Sequence, residues 1–318
     1  MNIKDIKRLK NKERVKGVFL LSSNSVIKGR CGNYLTGTLS DGLNSIDFKM
    51  WNYKNKSNLK CPAVVKINGH IDEYNGTNIL IVDILEHTKR SVEDCIDHTN
   101  NEIDRIKNNI DEILSTVKNP TLKKIVDKFF ELYGKEFYNV PGAVNHHHNY
   151  KSGNAQHSLE VLNCALGMVD SLVKSKAEYK DFDIDLLKVG AALHDMGKVN
   201  SYDFVDDIPV MTNMANYVDH IVTGLQILNH IRMVCNISSD DEDYMRLCHI
   251  IASHHGNLEW GSPVKPCFTE ALIVHHADMI SSHVCMMEEE MDNIANKWSE
   301  KRSCIFGTRL TKMNRYND

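Results

Sequence analysis

Between residues 14 and 90 apolar and polar positions alternate. Leu35, Gly37 and Leu39 fall on one side of a strand and Tyr34, Thr36 and Thr38 on the other, while Ile46, Phe48 and Met50 oppose Asp47, Lys49 and Trp51. Val65, Ile67 and Ile71 continue the pattern. A period of two is that of a half-buried strand. The chain therefore predicts strands over 14–22, 33–40, 45–51, 62–72 and 78–87, with turns at Ser40-Asp41-Gly42-Leu43-Asn44 and Asn75-Gly76. Five strands of this length suggest a small barrel filled by the apolar faces.

From about Thr99 the period lengthens. Ile103, Ile106, Ile110, Ile113, Leu114 and Val117 recur at helical spacing, and Leu122, Ile125, Val126, Phe129 and Phe130 mark a second helix opening at Pro120, where proline suits the first turn. Further helices are predicted over 154–174, 183–195, 213–233, 241–254 and 267–298, so the rest of the chain reads as an all-α bundle. The predicted organisation is a barrel over 1–90, a helical connection over 91–145, a helical domain over 146–298 and a polar tail over 299–318.

Composition narrows the function classes. Hydrophobic residues make up 42% and charged residues 25% of 318, and no stretch approaches the roughly 18 apolar residues of a membrane span. The charged N-terminal run lacks an apolar leader segment, so a cytoplasmic protein is expected. Nine cysteines without a C-x-x-C pair fit reduced thiols, which leaves histidine and carboxylate as the candidate metal ligands. Charge is uneven: residues 1–90 carry 16 Lys and Arg against 8 Asp and Glu, and residues 91–318 carry 22 against 34. Histidine is uneven too, since 13 of 16 lie between His146 and His283.

Those histidines form a pattern. In chain order the candidates are His146-His147-His148, His157, His194-Asp195 with Lys198, His220, His254-His255, and His275/His276 with Asp278. None is close enough to the next to make a local metal finger, so a site would be assembled from several helices. His157 shares a helical face with Val161, Cys164 and Met168, and His220 with Gly224 and Ile227, so each imidazole projects from a core-facing stripe. His194 and Asp195 point about 100° apart at a helix end, and an aspartate can bridge two cations.

The run His194-Asp195-Met196-Gly197-Lys198, with an upstream His157 and a downstream Asp278, resembles the HD-domain metal-dependent phosphohydrolases. The stretches His147-His148-Asn149-Tyr150-Lys151-Ser152-Gly153 and Ser253-His254-His255-Gly256-Asn257-Leu258-Glu259-Trp260-Gly261-Ser262-Pro263 are similar to the YhaM-type 3′-to-5′ exoribonucleases, which place an OB-like barrel before the HD domain. The resemblance implies a two-metal hydroxide mechanism of phosphodiester hydrolysis. His157, His194, Asp195 and Asp278 would hold one ion, and Asp195 would bridge to a second held by His220, His254 and His255. Lys198 would stabilise a phosphate oxygen, and His147 or His148 would bind the scissile phosphate or protonate the leaving oxygen. Imidazole and carboxylate ligands suit Mn, Co, Fe or Zn better than Mg, and the resemblance tilts the choice to manganese.

On the barrel, Tyr34 and Trp51 with Lys49 nearby form a candidate base-stacking platform beside phosphate contacts. The expected substrate is single-stranded RNA, with single-stranded DNA and a homo-oligomer left open and no membrane partner. Two other classes stay open at this level: an HD-type phosphohydrolase of small nucleotides, which would not need a basic barrel, and a non-catalytic RNA-binding protein with a structural metal site.

Overall fold

The computed structural model describes residues 2–29, 32–41, 45–54, 59–61, 63–74, 77–88, 97–142, 152–176, 181–205, 208–292, 294 and 297–311. The chain divides into two compact units, one of residues 1–100, 206–208 and 286–318 and one of residues 101–205 and 209–285.

In the first unit β1 (Arg14–Gly29), β2 (Gly32–Ser40), β3 (Ser45–Met50), β4 (Ala63–Tyr74) and β5 (Thr77–His87) close into a barrel in the order β1-β2-β3-β5-β4. It is the five-stranded OB-like barrel that the alternation predicts. Strand β1 is longer than the predicted 14–22 because it serves two neighbours. Arg14–Leu21 pairs antiparallel with β4, Leu20–Gly29 pairs antiparallel with β2, and the register shifts between Leu21 and Ser23. Such an irregularity lets a strand bend around a barrel corner. Strands β3 and β5 run parallel, Phe48 opposite Leu80. Leu35, Leu39, Phe48, Val65, Ile67 and Ile71 are buried in the interior, with Ile46 and Met50 packed against them. A short helix that the periodicity does not reveal, α1 (Ile3–Lys7), adds Ile3 and Ile6 to this core.

The second unit contains α2 (Asp97–Ser115) from residue 101 on, then α3 (Pro120–Phe137), α4 (Gly153–Ser175) and α5 (Ile184–Leu193). After a 3-10 turn at Met196–Asn200 come the strands β6 (Tyr202–Val205) and β7 (Ile208–Met211), then α6 (Asn213–Tyr217), α7 (His220–Val234), α8 (Glu242–Ser253), a 3-10 turn at Leu258–Trp260 and α9 (Thr269–Asp292), of which Ile208 and the residues after Cys285 group with the first unit. Local signals fix the helix starts. Asn119 accepts from the amides of Thr121 and Leu122 ahead of α3, Asp183 from Leu186 ahead of α5, and Asp241 from Tyr244 ahead of α8. The apolar stripes meet in one core that includes Ile110, Phe129, Leu162, Leu187, Leu228 and Ile250. Each such side chain contributes roughly 1.5–3 kcal/mol by leaving water.

Three helix expectations need correction. The helix expected over 213–233 is two, because Val218 and Asp219 adopt extended backbone between α6 and α7. The helix expected over 183–195 stops at Leu193, leaving Asp195 outside regular helix. The helix expected over 267–298 ends at Asp292. A small two-stranded sheet also sits within the helical region. Near the C-terminus, Trp298 bridges Thr311, so part of the polar stretch after 298 is paired. Among the described residues no helix is long and apolar enough to cross a membrane.

Candidate metal centre

Five elements converge on one place. His157 projects from the first turns of α4, His194 and Asp195 follow α5, His220 opens α7, His254 and His255 follow α8, and Asp278 lies on α9. Two glycines permit the approach. A Cβ on Gly197 would stand 1.9 Å from the His220 carbonyl oxygen and 2.5 Å from the Gly224 nitrogen, so the turn after Asp195 packs backbone to backbone on α7. Gly256 has φ +75°, and a Cβ there would meet the His275 ring at 2.2 Å, which accounts for glycine directly after the His254-His255 pair.

The ligand atoms separate into two groups, each within 4.8 Å: His157, His194 and Asp278, and His220, His254 and His255. Asp195 stands between them. Its Oδ1 lies 3.1 Å from His220 Nε2 and 3.5 Å from His254 Nε2. Its Oδ2 lies 3.4 Å from His194 Nε2, 3.7 Å from His157 Nε2 and 2.6 Å from Lys198 Nζ. Asp278 Oδ1 is 3.1 Å from His157 Nε2. His157, His194, Asp195 and His254 are almost wholly buried.

The outer nitrogens fix how each ring is presented. His194 Nδ1 donates to the Ala191 carbonyl, His254 Nδ1 to that of Ile251 and His255 Nδ1 to that of Trp260, all at 2.8 Å. A carbonyl only accepts, so these rings carry the proton on Nδ1. Ser281 Oγ donates to Glu160 Oε2 at 2.6 Å and so accepts from His157 Nδ1 at 2.9 Å. Asp219 Oδ1 accepts from His220 Nδ1. Every Nε2 is therefore turned inward, the second-sphere arrangement that orients metal-binding histidines.

That arrangement fits cations. With Nδ1 protonated, the Nε2 lone pairs of His157 and His194 face each other at 3.2 Å, and those of His220 and His254 at 3.4 Å. Buried Asp195 Oδ1 accepts no hydrogen bond among the described residues. Such groups need positive charge between them. The proton affinities say the same. Burial works against a charged His220, yet Asp195 and Asp219 outweigh it and raise its pKa to about 9. Burial also opposes charged Asp195 and Asp278, but Lys198 holds the first well below the usual carboxylate range and the His157 hydrogen bond holds down the second. His254 is driven down to about 4 by burial and stays neutral.

Of the residues expected at the site, His157, His194, Asp195, His220, His254, His255, Asp278 and Lys198 are brought together. Lys198 Nζ also donates to the Gly142 carbonyl at 2.5 Å. His146, His147 and His148 lie outside the described residues. His275 is buried beside the centre, its Nδ1 donating to the His254 carbonyl at 2.7 Å, and His276 is exposed. Pattern alone misses Asp219, Ser281 and Glu160. Only the first had a visible signal, a carboxylate immediately before a candidate histidine. On the barrel, the Tyr34 and Trp51 ring centroids are 5.0 Å apart and Lys49 Nζ lies 5.8 Å from the Trp51 ring.

Residues 154–282, the stretch that holds all eight of these side chains from His157 to Asp278, match the HD domain family. The chain carries an HD domain. With its N-terminal barrel, this HD-domain chain is 29% identical to the 3′-5′ exoribonuclease YhaM of Bacillus velezensis, over 89% of both chains. It is 28% identical to that of Bacillus subtilis, again over 89% of both, and to that of Listeria monocytogenes over 91% of both. Among solved structures, the second OB-fold domain of replication protein A from Methanococcus maripaludis aligns at 15% identity and a TM-score of 0.23, over 27% of this chain and 95% of its own. An HD domain implies divalent metal binding, in keeping with the two ligand groups.

Proposed function

We propose that this protein is a cytoplasmic, metal-dependent 3′-to-5′ exoribonuclease that hydrolyses single-stranded RNA at a pair of divalent cations, with single-stranded DNA within reach of the same chemistry. One observation carries the two-ion part: the two oxygens of Asp195 face different ligand groups. His157, His194, Asp195 and Asp278 would hold one ion, and Asp195, His220, His254 and His255 the other. The ligand types favour manganese, cobalt, iron or zinc, and manganese is our choice. When bound, the cations supply a nucleophile at neutral pH and neutralise charge that develops on phosphorus.

The protein's own groups do the rest. Asp195 keeps the two groups in fixed register. Lys198 spends two N–H bonds on Asp195 and Gly142, and its third turns to a phosphate oxygen, where charge grows in the transition state. His147 or His148 binds the scissile phosphate or protonates the leaving oxygen, a role supported by sequence. Tyr34, Lys49 and Trp51 capture the strand on the barrel. The similarity to YhaM supports the direction and the substrate. Incubating 5′-end-labelled RNA with protein and Mn²⁺ tests it: a ladder shortened from the 3′ end is expected, abolished by chelator. Internal cuts, or an unchanged RNA, would refute it.

A further inference from the structure

The cavity at the centre, 430 Å³ in volume, is lined by groups of unlike chemistry. Asp195, His220 and Asp278 contribute to its wall, and so do Met211, Ala215 and Trp260. The volume falls within the range of about 300–1,000 Å³ for small-molecule sites, room for one nucleotide. Trp260 is 51% exposed, although aromatic rings bury well. It is nonetheless firmly placed. Its carbonyl accepts the His255 Nδ1 proton at 2.8 Å, and Gly261, at φ +86°, reverses the chain immediately after it. Ser262, buried next in line, ties that reversal to the carbonyls of Ala252 and Val264 at 3.0 and 2.9 Å. One residue thus braces a ligand histidine through its backbone and leaves its indole at the cavity.

From this we infer that Trp260 is the base-stacking residue of a subsite for a single nucleotide, the one at the 3′ end of the substrate. The base lies on the indole, bounded by Met211 and Ala215, while its phosphate reaches the His and Asp groups. Since every base has a π face, an aromatic wall accepts all four. The inference rests on the exoribonuclease proposal for the substrate's identity, but the subsite itself can be tested separately.

The test uses the full chain loaded with manganese and two probes that differ only in the base, AMP and ribose 5-phosphate. Isothermal titration gives their affinity ratio in wild type, W260F and W260L, and ion content by mass spectrometry reports whether the centre is intact. Wild type should prefer AMP about tenfold, the usual worth of one base–aromatic stack; W260F should keep most of that preference and W260L should bring the ratio near one. In parallel, RNA ending in an abasic 3′ residue should be shortened more slowly than intact RNA by wild type, with little difference in W260L. A ratio near one in wild type, or equal ratios in wild type and W260L, overturns the assignment. If AMP preference is present and lost in W260L while wild type leaves RNA intact, the subsite stands and the exoribonuclease proposal falls.

Discussion

Asp219 accepts the Nδ1 proton of His220, and the same ring presents Nε2 to Asp195 Oδ1 at 3.1 Å. Two carboxylates thus hold one imidazole from opposite ends, one orienting it and one sharing its task. The His220 partner should matter for one ion and not for the other. Replacing Asp219 with Asn weakens the charge-assisted hydrogen bond, and an outer-sphere partner of this kind is worth about 10–100-fold in metal affinity. A manganese titration of the variant should show one site weakened by that factor and the other, built on His157, His194 and Asp278, near its wild-type affinity. Two wild-type affinities would remove Asp219 from the centre.

Asp195→Asn should behave differently, because both groups of histidines border that carboxylate. Loss of its charge should lower affinity at both sites and reduce RNA hydrolysis by several orders of magnitude, with helix content by circular dichroism unchanged. Substantial turnover at saturating Mn²⁺ would count against a shared bridging ligand.

The contrast between these two aspartates marks what the sequence could reveal. Asp195 belongs to a motif, and its partners announce themselves as histidines on apolar stripes; alternation in the barrel is equally plain because one face is buried. Ser281 and Glu160, which together set the His157 tautomer, are 121 residues apart in the chain, and nothing local joins them. The strands β6 and β7, four residues each, are too short for a period to register. The break before α7 is invisible to hydrophobic spacing, since Ile221, Ile227, Leu228 and Ile231 continue the stripe, whereas extended backbone at Asp219 ends the run.

Gly256→Ala should destabilise the metal-free protein. The residue adopts φ +75°, and the added Cβ would stand 2.2 Å from the His275 ring, which is itself tied to the His254 carbonyl. Left-handed backbone at a residue other than glycine costs of order 1–3 kcal/mol before any clash, so thermal unfolding should shift down by several degrees. An unchanged melting temperature would show that His275 moves aside freely.

Tyr34 and Trp51 touch, with ring centroids 5.0 Å apart. Single replacements by alanine should each weaken RNA binding by about 1–3 kcal/mol, the worth of a base–aromatic stack. Because the rings are in contact, the double variant should lose less than the sum. Fluorescence anisotropy with a labelled oligonucleotide measures all three; wild-type binding by the singles would make the pair a structural contact.

The last prediction concerns charge. Residues 1–90 carry an excess of positive charge and residues 91–318 an excess of negative charge, so a polyanion is drawn to the first and repelled by the second until cations occupy the centre. Capture by the barrel should then release counterions, and affinity should fall steeply with salt, by roughly 0.7 in logarithmic slope for each phosphate contact to a single strand. Lys49, half-buried beside Trp51, and exposed Lys54 and Lys60 lie within nine residues of Trp51 in the chain. Changing all three to Gln preserves side-chain length and removes charge. It is a gentler test than cutting the chain after residue 90, because residues 286–318 group with the barrel unit and would be stranded by the cut. If all three lysines contact phosphate, the salt slope for RNA binding should flatten by about 2, while hydrolysis of a small ester such as bis-(p-nitrophenyl) phosphate stays at its wild-type rate. A wild-type slope in the triple variant would move the phosphate track to another face of the barrel or off it altogether. Equal loss on RNA and on the small ester would instead make the barrel a support for the helical unit.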